Sequence, residues 1–240
     1  MAIISDDDDL EKRGKYGGNK KNPIVKPETI EYDNTFESSI RPKDFDSYIG
    51  QGALKETLKI TLEAAKKRCK PLDHMLFYGP PGLGKTTIAG VIASQMGVDI
   101  RITSAPALER PRDIIGILMS LKGGEILFID EIHRFSKSQQ DSLLNAVETG
   151  VVTLIGATTE NPSFEVIRPL LSRCQVYVLK SLEKADLLTL LNKAVTEDII
   201  LKDMNIVLAE TDAMLRYSGG DARKLLNILE LVVAAEEGNE

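Results

Sequence analysis

The sequence predicts an α/β protein: a five-stranded parallel sheet with helices on both faces, followed by a small helical lid. Three observations predict this class. Short apolar runs typical of buried strands alternate with helical periodicity five times between residues 53 and 179. A glycine-rich loop joins the first of these strands to the next helix. After Leu182 no further strand pattern follows, and only helical patterns continue.

Each element is predicted from its apolar spacing and from the residues that stop it. The helix over 138–148 is expected to begin with a Ser138–Asp141 cap and to end at Gly150, as the helix before the second strand ends at Gly97. The predicted strands cover 75–78, 99–103, 126–129, 151–155 and 175–179, and the predicted helices cover 53–69, 85–96, 112–121, 138–148, 185–195, 207–217 and 221–235.

Three regions are expected along the 240 residues. Residues 1–39 carry an acidic run and then scattered basic residues and glycines, which predicts a disordered N-terminal tail, either a solvated leader or a DNA- or partner-binding arm. Residues 40–180 are expected to form the α/β domain, and residues 181–240 the helical lid domain.

Composition limits the class of function. The net charge of −6 and the pI near 5.2 argue against a stand-alone basic nucleic-acid binder. They leave room for a ring of subunits that lines one channel with lysine and arginine. No apolar run approaches the ~18 residues of a membrane span. The two cysteines lie too far apart in sequence for a metal motif and are expected to be reduced thiols in a cytosolic protein, and two histidines are too few for a typical zinc site.

The glycine-rich loop has the pattern of a phosphate cradle. Its glycines permit backbone angles that let successive N–H groups converge on phosphate oxygens, and the helix that follows directs its positive end at the same anion. Lys85 is expected to contact the β- and γ-phosphates, and the Thr86 hydroxyl to bind Mg²⁺. The residues predicted to hold the nucleotide here are Gly79, Pro80, Pro81, Gly82, Leu83, Gly84, Lys85, Thr86 and Thr87.

An acidic pair follows the apolar strand at 126–129. Open α/β sheets bind ligands at the carboxyl ends of their strands, so this pair is expected beside the phosphate loop. Asp130 is predicted to hold Mg²⁺ together with Thr86, and Glu131 to activate the attacking water.

Three further side chains are candidates for the same chemistry. Thr158, with Thr159 as alternate, ends a strand where it can reach the γ-phosphate or cap a turn. Arg223 lies in the first turn of the last helix, where the dipole disfavours a cation, so it either shares an anion there or faces solvent. Arg173 is either an arginine finger for a neighbouring subunit or a surface arginine. His133 follows the acidic pair and is expected to orient the site without being catalytic.

Taken together, these motifs resemble those of AAA+ ATPases, and two families within that group. Residues 39–134 resemble RuvB, the Holliday-junction branch-migration motor, through the segments at 40–42, 48–51, 73–74, 106–111 and 128–134 and through the phosphate loop. In that family the first two segments line the adenine pocket, which implies this role for Arg41, Tyr48 and Ile49.

Residues 135–240 resemble RarA, also called MgsA, a replication-associated recombination ATPase related to clamp loaders. This resemblance rests on the segments at 135–141, 156–165, 171–174 and 220–223. It implies that Arg173 is the finger and Arg223 the lid sensor. Between Arg134 and Gly156 there is no room for the hairpin by which the branch-migration motor grips RuvA, and neither family's C-terminal domain follows the lid in this sequence.

The expected function is therefore ATP- and Mg²⁺-dependent remodelling of branched DNA by a homo-oligomeric ring, with a RuvA-like or single-strand-binding protein as partner. The alternatives are a clamp-loader-like ATPase at stalled forks and a hybrid chain that binds nucleotide without motor activity. The expected location is the cytoplasm of a bacterium, associated with the nucleoid and not with a membrane.

Overall fold

A computed structural model describes residues 42–204 and 206–237, with side chains to residue 235. The expected tail over 1–39 and Arg41 lie outside the described residues.

The sheet has five strands, all parallel, as the alternating apolar runs predict. The spatial order is β2-β3-β4-β1-β5, so β1 lies between β4 and β5. Each parallel pair needs a crossover, and the helices between the strands supply it. The strands are β1 (His74–Tyr78), β2 (Ile100–Ser104), β3 (Ile126–Asp130), β4 (Thr153–Thr158) and β5 (Cys174–Val178).

Nine α-helices are present among the described residues, and three turns of 3-10 helix connect them. The α-helices are α1 (Gly52–Arg68), α2 (Lys85–Met96), α3 (Pro111–Ser120), α4 (Lys137–Glu148), α5 (Pro162–Glu165), α6 (Arg168–Leu171), α7 (Lys184–Glu197), α8 (Asp212–Ser218) and α9 (Ala222–Glu237). The 3-10 turns are Ala105–Ala107, Ile132–Arg134 and Leu201–Asp203.

Helices cover both faces of the sheet, which also confirms the prediction. Successive strand side chains point to opposite faces. On one face Phe77 and Phe128 pack with apolar residues of α1 and α2. On the other face Leu76 and Leu127 pack with apolar residues of α3 and α4. Because both faces are covered, the central strands read as continuous apolar runs.

The C-terminal helices have an apolar cluster of their own. Leu187 and Leu191 of α7 pack with Leu215 of α8 and with Leu225 and Leu229 of α9. The division into domains at residue 180 stays a prediction, since residues 40–240 form one compact unit.

One side chain ties the start of α1 to the segment that leaves the sheet. Gln51 donates from Nε2 to the Lys180 carbonyl at 2.6 Å and accepts from the Lys180 N–H at 3.1 Å. Just beyond, the Leu182 N–H donates to the Gly220 carbonyl at 3.1 Å. The chain is therefore held on both sides of Ser181, where it enters the C-terminal helices.

Three local predictions are wrong. Helix α4 is capped by Ser136 and Gln139, which exchange side-chain and backbone hydrogen bonds, and not by Ser138 and Asp141. The strand predicted over 151–155 begins two residues later, because a turn precedes it. The helix predicted over 207–217 begins only at Asp212 (α8), and the Val207 side chain that suggested an earlier start is 85% exposed.

Candidate nucleotide-binding site

The predicted site residues follow three adjacent strands. Because β1, β4 and β3 are parallel neighbours, their carboxyl ends meet at one edge of the sheet. The phosphate loop follows β1, Thr158 ends β4, and Asp130 ends β3. The N–H of Gly79 donates to the carbonyl of Thr158 at 3.2 Å, so the loop leaves the sheet against the tip of β4.

The loop presents backbone donors at the start of α2. Gly84 is the N-cap of this helix, with φ 80 and ψ 28, a conformation that favours glycine. Gly84 has no side chain, so no side-chain cap accepts from the N–H groups of the first turn, which belong to Lys85, Thr86 and Thr87. Uncapped N–H groups at a helix start suit an anion. This geometry fits a phosphate group.

Lys85 is folded back onto its own loop. The ammonium donates to the carbonyls of Gly79 and Pro80, both at 2.7 Å, and the residue is buried. Burial lowers the pKa of Lys85, and the charge of Arg223 acts in the same direction, whereas Asp130 and Asp221 act to raise it. Three charged groups from two other parts of the chain are therefore close enough to influence one ammonium.

Tyr48 supports the phosphate loop through a hydrogen bond. Its ring is buried in the cluster under α1 and α2, and its hydroxyl donates to the carbonyl of Leu83 at 2.9 Å. Burial raises the pKa of this phenol above its usual range. A methyl group added at Gly84 would lie 2.9 Å from the Tyr48 hydroxyl, so the fit is tight. Ile49 is half-buried beside it, and its adenine contact stays a prediction.

The acidic pair adopts a constrained turn. The Asp130 carboxylate accepts from the N–H of Glu131 at 2.9 Å. Glu131 has φ 52, a left-handed conformation that few non-glycine residues adopt. Such strain concentrates at functional sites. The Glu131 carboxylate pairs with the Arg134 guanidinium at 2.9 Å, a contact that the sequence analysis did not anticipate.

Thr158 is not a free hydroxyl. Its side chain is 1% exposed and lies 3.1 Å from His133 Nδ1. The Thr158 oxygen also accepts from the N–H of Glu160 at 3.0 Å. The half-buried Thr159 is the next residue. His133 thus connects the turn after β3 to the tip of β4, a structural role compatible with the non-catalytic role expected for it.

The side chain of Arg173 is 40% exposed and is held by its own subunit. The guanidinium pairs with the Glu148 carboxylate at 2.6 Å and donates to the carbonyl of Pro169 at 2.7 Å. Glu148 is the last residue of α4, and nothing in the local spacing indicates this pair, because the partners lie on different elements.

A second side chain of α4 holds the segment that precedes Arg173. Gln140 is 1% exposed; its amide nitrogen donates to the carbonyls of Phe135 and Glu165, at 3.1 and 3.0 Å. Its amide oxygen accepts from the N–H of Ile167 at 2.9 Å. One helix therefore links the turn after the acidic pair to the region of Arg173.

Arg223 and Asp221 bring the last helix to the loop. Arg223 lies in the first turn of α9, as predicted, and its charge acts on Lys85. Asp221, which was not predicted, accepts from the N–H of Lys224 at 3.0 Å. A methyl group added at Gly82 would collide with the Asp221 carboxylate, so this carboxylate lies directly against the phosphate loop.

No cluster of three or more His, Cys, Asp or Glu that could hold a metal ion occurs in the described part of the chain. Mg²⁺ in nucleotide sites is bound by one or two protein oxygens together with the phosphates, so Thr86 and Asp130 fit it without such a cluster. In the same described segments, no helix has the length and apolar character needed to cross a bilayer.

Comparison with known proteins identifies one family. Residues 40–170, more than half of the chain, match the family model of the Holliday junction DNA helicase RuvB P-loop domain. The match continues past Arg134, where the resemblance to RarA was expected to begin; that second resemblance stays a prediction.

Individual relatives agree with this match. The Holliday junction branch migration complex subunit RuvB of Crocosphaera subtropica is 58% identical over 129 residues, covering 54% of this chain and 36% of the relative. That of Prochlorococcus marinus is 46% identical over 172 residues, covering 70% of this chain and 48% of the relative. The chain therefore spans less than half of the length of either relative.

Solved structures resemble the fold. The RuvB Holliday junction branch migration motor of Thermotoga maritima superimposes with a TM-score of 0.71 and 38% identity, covering 80% of this chain and 64% of the other.

Proposed function

The chain belongs to the family of the Holliday junction DNA helicase RuvB P-loop domain, and from this premise and the site geometry we propose that it hydrolyses ATP to remodel branched DNA. The observation that carries the proposal is the convergence of Lys85, Asp130 and Arg223 on one phosphate loop. The helices after β5 would serve as the lid over this site.

The described residues divide the work of binding. The N–H groups at the start of α2 and the Lys85 ammonium would hold the phosphates, after Lys85 exchanges its two loop carbonyls for phosphate oxygens. Thr86 and Asp130 would hold Mg²⁺, which supplies charge neutralisation at the phosphates. Gly79, Pro80, Pro81, Gly82, Leu83, Gly84 and Thr87 complete the cradle, and Arg41, Tyr48 and Ile49 would form the side toward adenine.

Glu131 is the proposed group that orients water. It is currently paired with Arg134, an exposed side chain, so the carboxylate must leave this partner to reach the lytic water. Thr158 holds the tip of β4 in place through His133, and the proposed γ-phosphate contact requires its hydroxyl to exchange a present partner or Thr159 to take its place.

Arg173 is proposed to act on the site of a neighbouring subunit in a homo-oligomeric ring. An arginine supplied in this way can raise phosphoryl-transfer rates by ~10³–10⁵. Its exposure allows such reach, but the ion pair with Glu148 must open first. Within the same subunit, Arg223 is proposed to sense the nucleotide from the C-terminal helices.

The proposed substrate and partners are inferred from the names of the relatives. The RuvB proteins that the chain resembles are named as subunits of a Holliday junction branch migration complex. We therefore favour branched DNA as the substrate, a RuvA-like or single-strand-binding protein as partner, and the bacterial cytoplasm, near the nucleoid, as the location.

A second candidate is a clamp-loader-like ATPase of the RarA kind that acts at stalled forks. Arg173 and Arg223 favour it, because both lie in the segments that resemble that family, and the charge of Arg223 acts on Lys85 of the loop. In this case ATP would switch a protein contact without translocation along DNA.

The decisive experiment measures ATP hydrolysis with and without a four-way junction, with duplex DNA as a control, and the mass of the protein in ATP. Stimulation of ATP hydrolysis by the four-way junction but not by duplex DNA supports branch remodelling. Equal stimulation by the two DNAs contradicts it, and so does the absence of stimulation by either. DNA-independent binding to single-strand-binding protein would favour the fork ATPase, and a monomer without turnover would indicate a nucleotide-binding module.

The site itself is tested by Lys85→Ala, which removes the buried ammonium. We expect nucleotide binding or turnover to be abolished. Lys67→Ala is the matched control, since Lys67 lies in the last turn of α1 with a side chain 81% exposed, and its removal is expected to change neither. Unchanged hydrolysis in the Lys85 variant would refute the site assignment.

A further inference from the structure

The Asp221 carboxylate lies against the phosphate loop, where its negative charge would repel the phosphates of the proposed nucleotide. It contacts Gly82, in the middle of the phosphate loop, closely enough that no side chain could be added at that glycine without collision. Gly82 has φ 71, and the loop that it belongs to otherwise presents N–H groups and the Lys85 ammonium.

Asp221 also determines how α9 begins. Its carboxylate accepts from the N–H of Lys224 at 3.0 Å, which is the geometry of a helix N-cap. The preceding Gly220 is hydrogen-bonded to Leu182, at the point where the chain enters the C-terminal helices. A displacement of Asp221 therefore moves the start of α9, including Arg223.

We propose that Asp221 is an electrostatic counterweight at the phosphate loop: its carboxylate balances Lys85 and Arg223 until a nucleotide binds, and is then repelled by the phosphates. This inference rests on the proposed binding of a nucleoside triphosphate at the loop. The repulsion weakens nucleotide binding, and it shifts the first turn of α9 away from Gly82. Binding is thereby coupled to the position of the C-terminal helices.

The capping bond from the Lys224 N–H to Asp221 does not require a charged acceptor, whereas the proposed repulsion does. A substitution can therefore separate the two roles of Asp221. Asparagine and serine cap helices about as well as aspartate, so Asp221→Asn keeps the cap and removes the charge. Asp212→Asn is the matched control, because it removes one carboxylate from the first turn of α8, where the side chain is 84% exposed and pairs with Lys184.

The experiment titrates each purified variant of the 240-residue chain with a fluorescent, non-hydrolysable ATP analogue at low and high salt. We expect Asp221→Asn to bind about tenfold more tightly than wild type at low salt, the change that roughly 1.4 kcal/mol of removed repulsion gives. The advantage should shrink at high salt because the repulsion is screened. Asp212→Asn should bind as wild type does.

Hydrogen exchange at the Lys224 amide supplies a second readout. In the wild type, the analogue should speed this exchange, because the first turn of α9 moves away from Gly82 and opens to water; in Asp221→Asn it should not. Equal affinities for wild type, Asp221→Asn and Asp212→Asn, or exchange that the analogue leaves unchanged in the wild type, would overturn the inference.

Two controls keep the outcomes distinct. Asp221→Ser removes the charge with a different capping group, and it replaces Asp221→Asn if that variant fails to fold. Failure of the wild type to bind the analogue would refute the proposed function itself, whereas normal wild-type binding with unaltered Asp221 variants refutes only the counterweight.

Discussion

Tyr48→Phe tests how the phosphate loop is supported. The substitution keeps the buried ring in its cluster and deletes only the hydroxyl that donates to the Leu83 carbonyl at 2.9 Å. A net hydrogen bond contributes about 0.5–1.5 kcal/mol, and an acceptor left without its partner in a buried place costs about 1–3 kcal/mol. We therefore expect the free energy of unfolding to fall by about 1–2 kcal/mol.

Tyr48→Ala provides the scale for this loss. Removing a whole buried aromatic ring costs about 3–5 kcal/mol, since the cavity collapses only in part. For a domain of this size, the hydroxyl alone should lower Tm by roughly 2–4 °C for each kcal/mol lost. Urea unfolding measures both variants, and an unchanged slope with denaturant shows that the folded state is otherwise the same.

The same variant separates two roles for Tyr48. If the hydroxyl holds the loop, Tyr48→Phe should weaken nucleotide binding by about fivefold, the equivalent of roughly 1 kcal/mol. If only the ring contacts adenine, binding should stay at the wild-type value because the ring remains. Wild-type stability together with wild-type affinity would refute the reasoning about the loop.

Two further predictions concern the arginine and histidine contacts. Glu148→Gln should raise ATP hydrolysis by up to about fivefold, because the partly exposed pair that restrains Arg173 is worth less than about 1 kcal/mol; a loss as severe as that of Arg173→Ala would contradict this. Burial lowers the pKa of His74, whose Nδ1 accepts from the Leu154 N–H and whose Nε2 lies 3.1 Å from the Val147 carbonyl. The folded state therefore binds fewer protons than the unfolded chain below about pH 6.5, so the free energy of unfolding of the wild type should fall as pH drops through this range. In His74→Gln the fall should be smaller. Identical pH profiles of stability for the two proteins would exclude the effect.

The sheet was predictable because its strands are buried on both faces. Apolar runs such as 126–129 have no polar alternation, and glycines or charges bound them sharply. The start of α2 at Lys85 and its end before Gly97 also follow from local chemistry, since both neighbours are glycines in left-handed conformations.

Local sequence did not distinguish competing helix starts. Ser136 and Ser138 each precede a polar residue three positions later, so either could open α4. The fold selects Ser136, because Phe135 must enter the core immediately before it. The predicted start at Val207 failed for the opposite reason: that apolar side chain has no core to enter.

The candidate site residues could be proposed one by one from the sequence, and their contacts could not. Lys85, Asp130 and Glu131 belong to local motifs whose order along the chain indicates their chemistry. The ion pair of Arg173 with Glu148 and the contact of Asp221 with Gly82 join distant segments. Such contacts arise only when the elements pack.

The pair of hydrogen bonds between Gln51 and the Lys180 backbone anchors the chain two residues past the end of β5. We therefore expect any rotation of the C-terminal helices to have its axis at Ser181 and Leu182. Helix α7, 14 residues long, extends about 21 Å from there. A rotation of roughly 10° about this axis would move the far end of α7 by about 3.6 Å. In the proposed ring, a small displacement at Asp221 would thus become a movement wide enough to reach a neighbouring subunit.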